Sequence, residues 1–98
     1  MNSMEDLLHL VHSDGADGLG LRVGHPPVIV LDGEELPMEG PPLTTQDAER
    51  LWRSISDTRQ RRRLRELGVI EFIYRFRAHA SFVVRAKLED GTVRMTIH

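Results

Sequence analysis

The sequence predicts an α+β fold of two layers, with helices packed on one face of a mixed or antiparallel sheet. Apolar residues alternate with polar ones in a short N-terminal segment and a long C-terminal one, which is the period of half-buried strands. Three other stretches carry helix signals, and the Asp-Gly pairs at 32–33 and 90–91 are typical of hairpin turns. The 98 residues suffice for a single domain over 1–98 with a modest core. We expect the element order α-ββ(β)-αα-βββ.

The first element is expected to be an amphipathic helix. Ser3 and Asp6 have the spacing of a capping box, which satisfies the first backbone N–H groups of a helix. One apolar face follows at intervals of three and four residues, formed by Met4, Leu7, Leu8 and Val11. Asp14 and Gly15 then predict its end.

Three short strands are expected next. Residues 18–23 alternate between apolar side chains and glycine or arginine, as in a half-buried strand. The Pro-Pro pair at 26–27 ends this strand, and residues 28–31 predict a short buried one. Residues 34–38 can return as a brief edge strand, because Pro37 lacks the N–H that a central strand would need.

Two further helices are expected to follow a Gly-Pro-Pro connector. Thr44 and Asp47 predict the start of the second helix. Asp57 and Gln60 predict the start of the third, and Gly68 predicts its end. The buried faces are predicted at Ala48, Leu51, Trp52 and Ile55 in the second helix, and at Leu64 and Leu67 in the third.

The remainder of the chain predicts a three-stranded meander. Residues 70–76 and 82–88 alternate apolar and polar side chains, and Tyr74 falls on the core side of the first of these strands. The Asp-Gly pair at 90–91 turns the chain into a last strand at 93–97. His79 is expected in the loop between the first two strands.

Charge is divided unevenly along the chain. Residues 1–49 hold ten acids and one base, whereas residues 50–98 hold twelve bases and five acids, for a net charge of −2. This asymmetry suits self-complementary docking, an acidic partner or nucleic acid, unless the two halves interleave in the fold and cancel. The sequence has no bilayer-spanning apolar run and no signal peptide, so we expect a cytoplasmic protein.

Signals for catalysis are absent from the sequence. It has no cysteine, no G-x-x-x-x-G-K-[ST] phosphate loop, and no dinucleotide spacing among its glycines at 15, 18 and 20. His9 and His12 supply only two potential metal ligands, and His25 is expected to be a partly exposed turn residue. Acidic pairs at 34–35 and 89–90 are expected to be solvated in turns. We therefore predict neither an enzyme nor a bound cofactor or metal.

Several segments together resemble the N-terminal, PAS-like domain of the PilT-type family of pilus retraction and secretion ATPases. The resemblance covers the chain and is carried by Val-Gly-His-Pro-Pro-Val-Ile-Val-Leu-Asp-Gly-Glu-Glu-Leu at 23–36, Gly-Pro-Pro-Leu-Thr at 40–44, Ser54-Ile55 followed by Gln60-Arg61, and Glu71-Phe72-x-Tyr74. In that family the domain precedes a RecA-like motor that hydrolyses ATP. The resemblance therefore implies the domain without its motor.

Two segments depart from the family pattern. The family's Ala-Ser-Asp-Leu-His-Leu strand is Ala-Asp-Gly-Leu-Gly-Leu here at 16–21, so Gly18 and Gly20 replace its Asp and His. The family's Arg-Phe-Arg run, whose arginines approach nucleotide at the hexamer's subunit boundary, is Ser-Phe-Val here at 81–83. The resemblance implies a domain that has kept the family's core-packing residues but no longer takes part in the ATPase cycle.

The third helix carries the most distinctive charges, with arginines at 59, 61, 62, 63 and 65. The predicted partner-binding residues are Arg59, Arg62, Arg63 and Arg65. The planar guanidinium group of arginine binds carboxylates and phosphates well. Three interpretations of this helix therefore remain: a solvated face, a surface for an acidic protein partner, or a surface for nucleic acid or anionic lipid. Nucleic acid is the least supported of these, because Trp52 and Tyr74 are predicted core residues and cannot stack on bases.

We therefore predict a non-catalytic protein–protein interaction module, an adaptor or regulator related to type IV pilus, twitching-motility or secretion machinery. Its expected partner is a hexameric pilus or secretion ATPase, and a homodimer is also expected because PAS-like domains often dimerise. One alternative is an anionic-ligand or nucleic-acid binder that uses the basic helix. The other is a small-molecule sensor with a cavity of roughly 300 Å³ between sheet and helices, which Gly18 and Gly20 would open.

Overall fold

The computed structural model describes residues 3–78 and 80–98, and the predicted loop position of His79 lies outside them. Three helices and six strands follow in the predicted order. They are α1 Met4–Ser13, β1 Gly18–Leu21, β2 Val28–Leu31, β3 Glu34–Pro37, α2 Thr45–Ile55, α3 Thr58–Leu67, β4 Val69–Arg77, β5 Ala80–Glu89 and β6 Thr92–Ile97. None of the helices formed by the described residues is long and apolar enough to cross a membrane.

All six strands join one antiparallel sheet in the order β3-β2-β1-β6-β5-β4. The N-terminal and C-terminal meanders meet where β1 pairs with β6, with Leu19 opposite Ile97. Two-residue Asp-Gly turns close two hairpins, with φ of 52° at Asp32 and 51° at Asp90. Positive φ at both central residues is what such turns require. The predicted two-layer α+β class is confirmed.

Each helix begins at a capping box that the sequence predicts. In each box the N-cap side chain accepts from the third helical N–H, and the third side chain accepts from the N-cap N–H. The pairs are Ser3 with Asp6, Thr44 with Asp47, and Asp57 with Gln60. A good N-cap stabilises a helix by about 1 kcal/mol. Gly68 ends α3 with a φ of 80°, a conformation that glycine adopts without a side-chain clash.

The core lies between the helices and one face of the sheet. Helix α1 packs on β1, α2 on β6, and α3 on β4 and β5. Trp52 is 3% exposed, as predicted, and its ring lies 5.9 Å from that of Phe72. Tyr74 is half-buried against the same core. The other face of the sheet, here called the open face, is covered by none of the three described helices and carries Gly20, Ile73 and the residues that alternate with the core positions.

Two burial predictions are wrong. Leu67 was expected on the buried side of α3 but is 59% exposed, whereas Leu64 is 2% exposed. The two residues lie about 60° apart around the helix, and α3 buries only a narrow stripe, so Leu67 falls outside it. Strand β2 was expected to be buried but is only half-buried, with Leu31 36% exposed, because helices cover one face of the sheet.

Candidate interaction surfaces

Helix α3 presents four of its five arginines on one side. Arg59, Arg62, Arg63 and Arg65 are exposed, and we call this set the arginine face. At about 100° per residue, the four occupy an arc of about 160° centred opposite the buried Leu64. The structure therefore brings together all four residues that the sequence singled out, and it points them away from the core.

Arg61 belongs to a different environment. It lies on the side of α3 that faces α2 and is half-buried. Its Nη1 donates to the carbonyl oxygen of Ser56 at 2.5 Å and to that of Arg53 at 3.4 Å, with Ser56 Oγ at 3.2 Å. Carbonyl groups at a helix C-terminus lack partners within the helix, so Arg61 satisfies the end of α2. Its role is to join two helices.

The guanidinium groups of the arginine face have no ion-pair partner within 3–78 and 80–98. Ion pairs in that part of the chain include those of Arg22, Arg53, Arg77 and Arg94, none of which belongs to the arginine face. Helix α3 also has no acidic residue in its first turn, and Arg59 lies there instead. The positive end of the helix dipole disfavours a cation at that position. The acidic residues nearest in sequence are the N-cap Asp57 and the exposed Glu66, and neither forms an ion pair with the arginine face in the described residues.

The charge asymmetry of the sequence survives folding. Because the sheet order is β3-β2-β1-β6-β5-β4, the N-terminal strands form one half of the sheet and the C-terminal strands form the other. The exposed Glu34 and Glu35 lie on β3 at one edge, whereas α3 packs on β4 and β5 at the opposite edge. The strands of the two halves do not interleave, so the acidic edge and the arginine face remain apart.

Within the described residues, the two halves are linked by the ion pair of Arg77 with Glu5 at 3.8 Å and by a cluster at Glu89. Glu89 accepts from Arg22 Nη2 at 2.7 Å and from Arg94 Nη1 at 3.2 Å. The hydrogen bond from Arg94 has the largest effect and lowers the pKa of Glu89. Desolvation opposes it, and the charges of Arg22 and Arg94 lower the pKa further, so the net shift is downward. The prediction of a solvated turn carboxylate is therefore wrong for Glu89, because Arg94 of the same hairpin and Arg22, which is distant in sequence, both contact it. A pocket of about 220 Å³ lies beside this cluster and is also lined by His25, which is exposed as predicted.

Gly18 and Gly20 lie on the open face, since Leu19 and Leu21 point to the core. A Cβ on Gly18 would lie 2.7 Å from the carbonyl oxygen of Ile97, so β6 already fills the space beside it. A Cβ on Gly20 would be 3.9 Å from Val28, an ordinary contact. The prediction that these glycines open a cavity between sheet and helices is therefore wrong. A pocket of about 250 Å³ beside Gly20 lies toward the open face instead.

The structure also shows the positions of residues 81–83, which depart from the family's Arg-Phe-Arg run, and of the two histidines of α1. Phe82 is buried in the core, whereas Ser81 is exposed and Val83 lies opposite Ile73 on the open face. His9 and His12 are exposed on α1, and His9 Nε2 lies 3.4 Å from Ser13 Oγ. Within the part of the chain that the structure describes, no three residues of the His, Cys, Asp and Glu types are grouped as a metal site would require.

This architecture fits an N-terminal domain of a PilT-type secretion ATPase, as the sequence resemblance predicts. The pilus retraction motor PilT, solved with bound ADP, superposes on 100% of this chain with a TM-score of 0.89 at 23% sequence identity. The ATPase DotB of Legionella pneumophila superposes on 97% with a TM-score of 0.79 at 22% identity. At sequence identities of 22–23%, the structural similarity establishes the fold alone.

The chain spans 29% of the PilT chain and 27% of the DotB chain. No family model matches the sequence, and no curated protein matches it significantly. The likeness is therefore one of fold, shared with a part that makes up under a third of each of the two solved chains.

Proposed function

We propose that residues 1–98 form one non-catalytic domain that acts in the cytoplasm as a protein–protein interaction module, an adaptor or regulator of a hexameric pilus retraction or secretion ATPase. The arginine face is its contact surface and binds acidic side chains of the motor. The observation that carries this proposal is the set of four exposed guanidinium groups on one arc with no ion-pair partner in 3–78 and 80–98. The likeness of the fold to PilT and DotB supports the choice of partner.

A protein partner suits this surface better than nucleic acid does. The planar guanidinium group binds a carboxylate through two parallel hydrogen bonds. The chain carries a net charge of −2, whereas proteins that bind a polyanion usually carry a net positive charge. Single-strand binders usually add stacking aromatic rings, but Trp52 is buried and Tyr74 is half-buried in the core.

A ligand sensor has less support than an adaptor. The space between the helices and the sheet is filled by buried aliphatic and aromatic side chains, including Leu51, Met95 and Ile97, each at most 1% exposed. The pocket of about 250 Å³ lies toward the open face and is smaller than the roughly 300 Å³ that ligand sites usually need. No feature of the described core favours a bound small molecule.

Binding to a purified hexameric pilus retraction ATPase tests the proposal. The affinity and the ATPase rate of the motor are measured with the wild-type chain, with Arg59→Glu/Arg62→Glu, and with the control Arg85→Glu/Lys87→Glu. The control makes the same change in charge at exposed positions of β5. We expect the arginine-face variant to weaken binding by about tenfold or more, equivalent to about 1.4 kcal/mol, and the control to bind as the wild type does.

Three results would overturn the proposal. One is no binding and no effect of the wild-type chain on the ATPase rate. Another is an equal loss of affinity in the control variant, which would indicate nonspecific attraction between net charges. The third is tighter binding to a single-stranded oligonucleotide than to the motor, with an affinity that falls steeply with salt, which would favour the nucleic-acid alternative.

A further inference from the structure

The two edges of the sheet differ in how they are protected. The β3 edge is four residues long, carries the exposed Glu34 and Glu35, and ends at Pro37, which has no N–H to donate. Such features block the addition of another strand. The β4 edge runs over the nine residues Val69–Arg77 and contains no proline. Its pairing with β5 is regular from Val69 to Arg75, and a register shift follows between Arg75 and Arg77, so the β4 edge offers a regular template over residues 69–75.

The outward-facing backbone groups of β4 follow from its pairing with β5. The N–H of Leu88 donates to the carbonyl oxygen of Gly68 at 2.9 Å, and the same register continues along the ladder. Hydrogen-bonded and non-hydrogen-bonded pairs alternate in an antiparallel ladder. The even-numbered residues of 70–74 therefore bond to β5, and the odd-numbered residues of 69–75 direct their N–H and C=O groups outward.

The side chains at the middle of this edge are apolar on both faces. Ile73 on the open face is 74% exposed, the highest value among the exposed large hydrophobic residues that the structure describes. It is flanked on that face by the exposed Glu71 and Arg75. On the opposite face, Phe72 and Tyr74 are only half-buried although they contact the core. The β4 edge therefore exposes apolar side chains next to backbone N–H and C=O groups that are directed outward.

The order of these residues makes the strand complementary to itself in one register. When Ile73 lies opposite Ile73 of a second antiparallel copy, Glu71 lies opposite Arg75 of that copy, and the reverse pair forms by symmetry. A register centred on Glu71 or on Arg75 would place like charges opposite each other, which is unfavourable. Registers centred on residue 72 or 74 would place Ile73 opposite a charged side chain. Only the centre at Ile73 pairs apolar with apolar and acid with base.

We propose that this chain forms a two-fold symmetric dimer in which β4 pairs antiparallel with β4 of a second copy about an axis at Ile73. The two six-stranded sheets then become one continuous sheet. Residues 71, 73 and 75 contribute about six backbone hydrogen bonds across the axis, as an antiparallel ladder requires. The partner is a second copy because the charge order Glu71, Ile73, Arg75 matches its own reverse. The arginine face takes no part, so this inference does not rest on the proposed function.

Sedimentation velocity over a range of concentrations tests the dimer. The wild-type chain of 11.2 kDa is expected to show a concentration-dependent doubling of mass. Ile73→Lys places two like charges on the axis and is expected to raise the dimer dissociation constant about tenfold or more. Thr96→Lys makes the same kind of change at an exposed position of β6, inside the sheet, and should leave the constant unchanged. Circular dichroism of each variant confirms that the fold is retained.

Charge exchange tests the register. Glu71→Arg alone and Arg75→Glu alone each place like charges across the axis, so each is expected to weaken the dimer. The double variant Glu71→Arg/Arg75→Glu restores opposite charges and is expected to restore most of the affinity. A dimer that forms by another surface would not show this recovery.

Cysteine cross-linking locates the axis, because the sequence contains no cysteine. Opposite residues in a hydrogen-bonded pair have Cα atoms about 5.5 Å apart, within the range of a disulfide. Ile73→Cys is therefore expected to give a disulfide-linked dimer on mild oxidation, whereas Thr96→Cys is expected to form no covalent dimer because its position lies inside the sheet. A chain that is monomeric up to hundreds of micromolar, or a dimer that Ile73→Lys leaves intact, would overturn the inference.

Discussion

The guanidinium group of Arg61 donates a hydrogen bond to the carbonyl oxygen of Ser56 at 2.5 Å and so connects the end of α2 to α3. Its neighbour Arg62 is exposed and forms no ion pair with the rest of the described chain. Adjacent arginines of one helix therefore serve different purposes. One holds the helices together, and the other belongs to the arginine face.

Replacing these two arginines separates stability from binding. Arg61→Ala removes a charged donor from carbonyl groups at a helix end and is expected to lower the free energy of unfolding by about 1 kcal/mol. Arg62→Ala is expected to change it by less than about 0.5 kcal/mol, because the side chain is solvated. Urea denaturation of both variants measures the difference. Equal losses would show that the contact between Arg61 and Ser56 contributes nothing.

Alanine substitutions at the two glycines of β1 are expected to have opposite effects on stability. Gly18→Ala forces a Cβ to within 2.7 Å of the carbonyl oxygen of Ile97, so β6 must shift, and we expect a loss of about 1–3 kcal/mol. Gly20→Ala has room and restricts the unfolded chain, so a gain of about 0.5–1 kcal/mol is expected. Thermal melts of the two variants measure this. A stabilised Gly18→Ala would contradict the packing of β1 against β6.

Alanine substitutions at the two leucines of α3 are expected to change stability by very different amounts. Leu64 is 2% exposed, so Leu64→Ala leaves a cavity and is expected to cost about 2–5 kcal/mol. Leu67 is 59% exposed, so Leu67→Ala is expected to change stability by less than about 0.5 kcal/mol. Denaturation of both variants under one set of conditions provides the measurement. A large loss at Leu67 would mean that another surface covers it in solution.

Stability is expected to depend on the ionisation of Glu89. Its folded-state pKa is lowered by Arg94 and Arg22, relative to an ordinary value of 4.5. A lowered carboxyl pKa stabilises the fold above the unfolded value, and this contribution disappears as the pH falls through the folded-state pKa. Glu89→Gln is therefore expected to be less stable than the wild type at neutral pH, with a difference that shrinks below a pH of about 4.5.

Melting temperatures measured from neutral to acidic pH test this dependence. Asp90→Asn removes the same charge one residue away, where the described structure contains no ion pair. The control is expected to differ from the wild type by an amount that varies less with pH. A Glu89→Gln difference that stays constant down to acidic pH would exclude the ion pairs as its cause.

Local signals predicted the helix boundaries and turns well. The three capping boxes and the two Asp-Gly turns depend on contacts within about four residues, so the sequence around them is sufficient. The outward position of the arginine face also followed from helical spacing. The exposure of Leu67 did not, because it depends on how closely α3 approaches the sheet. The ion pairs at Glu89 were missed for a similar reason, since Arg22 is distant in sequence.

The order of elements, the α+β class and the arginine-rich helix are properties that the amino-acid sequence determined by itself, because periodicity and capping act over short distances. The tertiary structure decided the pairing of β1 with β6, which brings Leu19 opposite Ile97 and leaves the acidic β3 edge and the arginine face at opposite ends of the sheet. It also decided which edge of the sheet stays open, at β4. Strand pairing joins segments at any separation along the chain, so its outcome depends on the packing of the whole core.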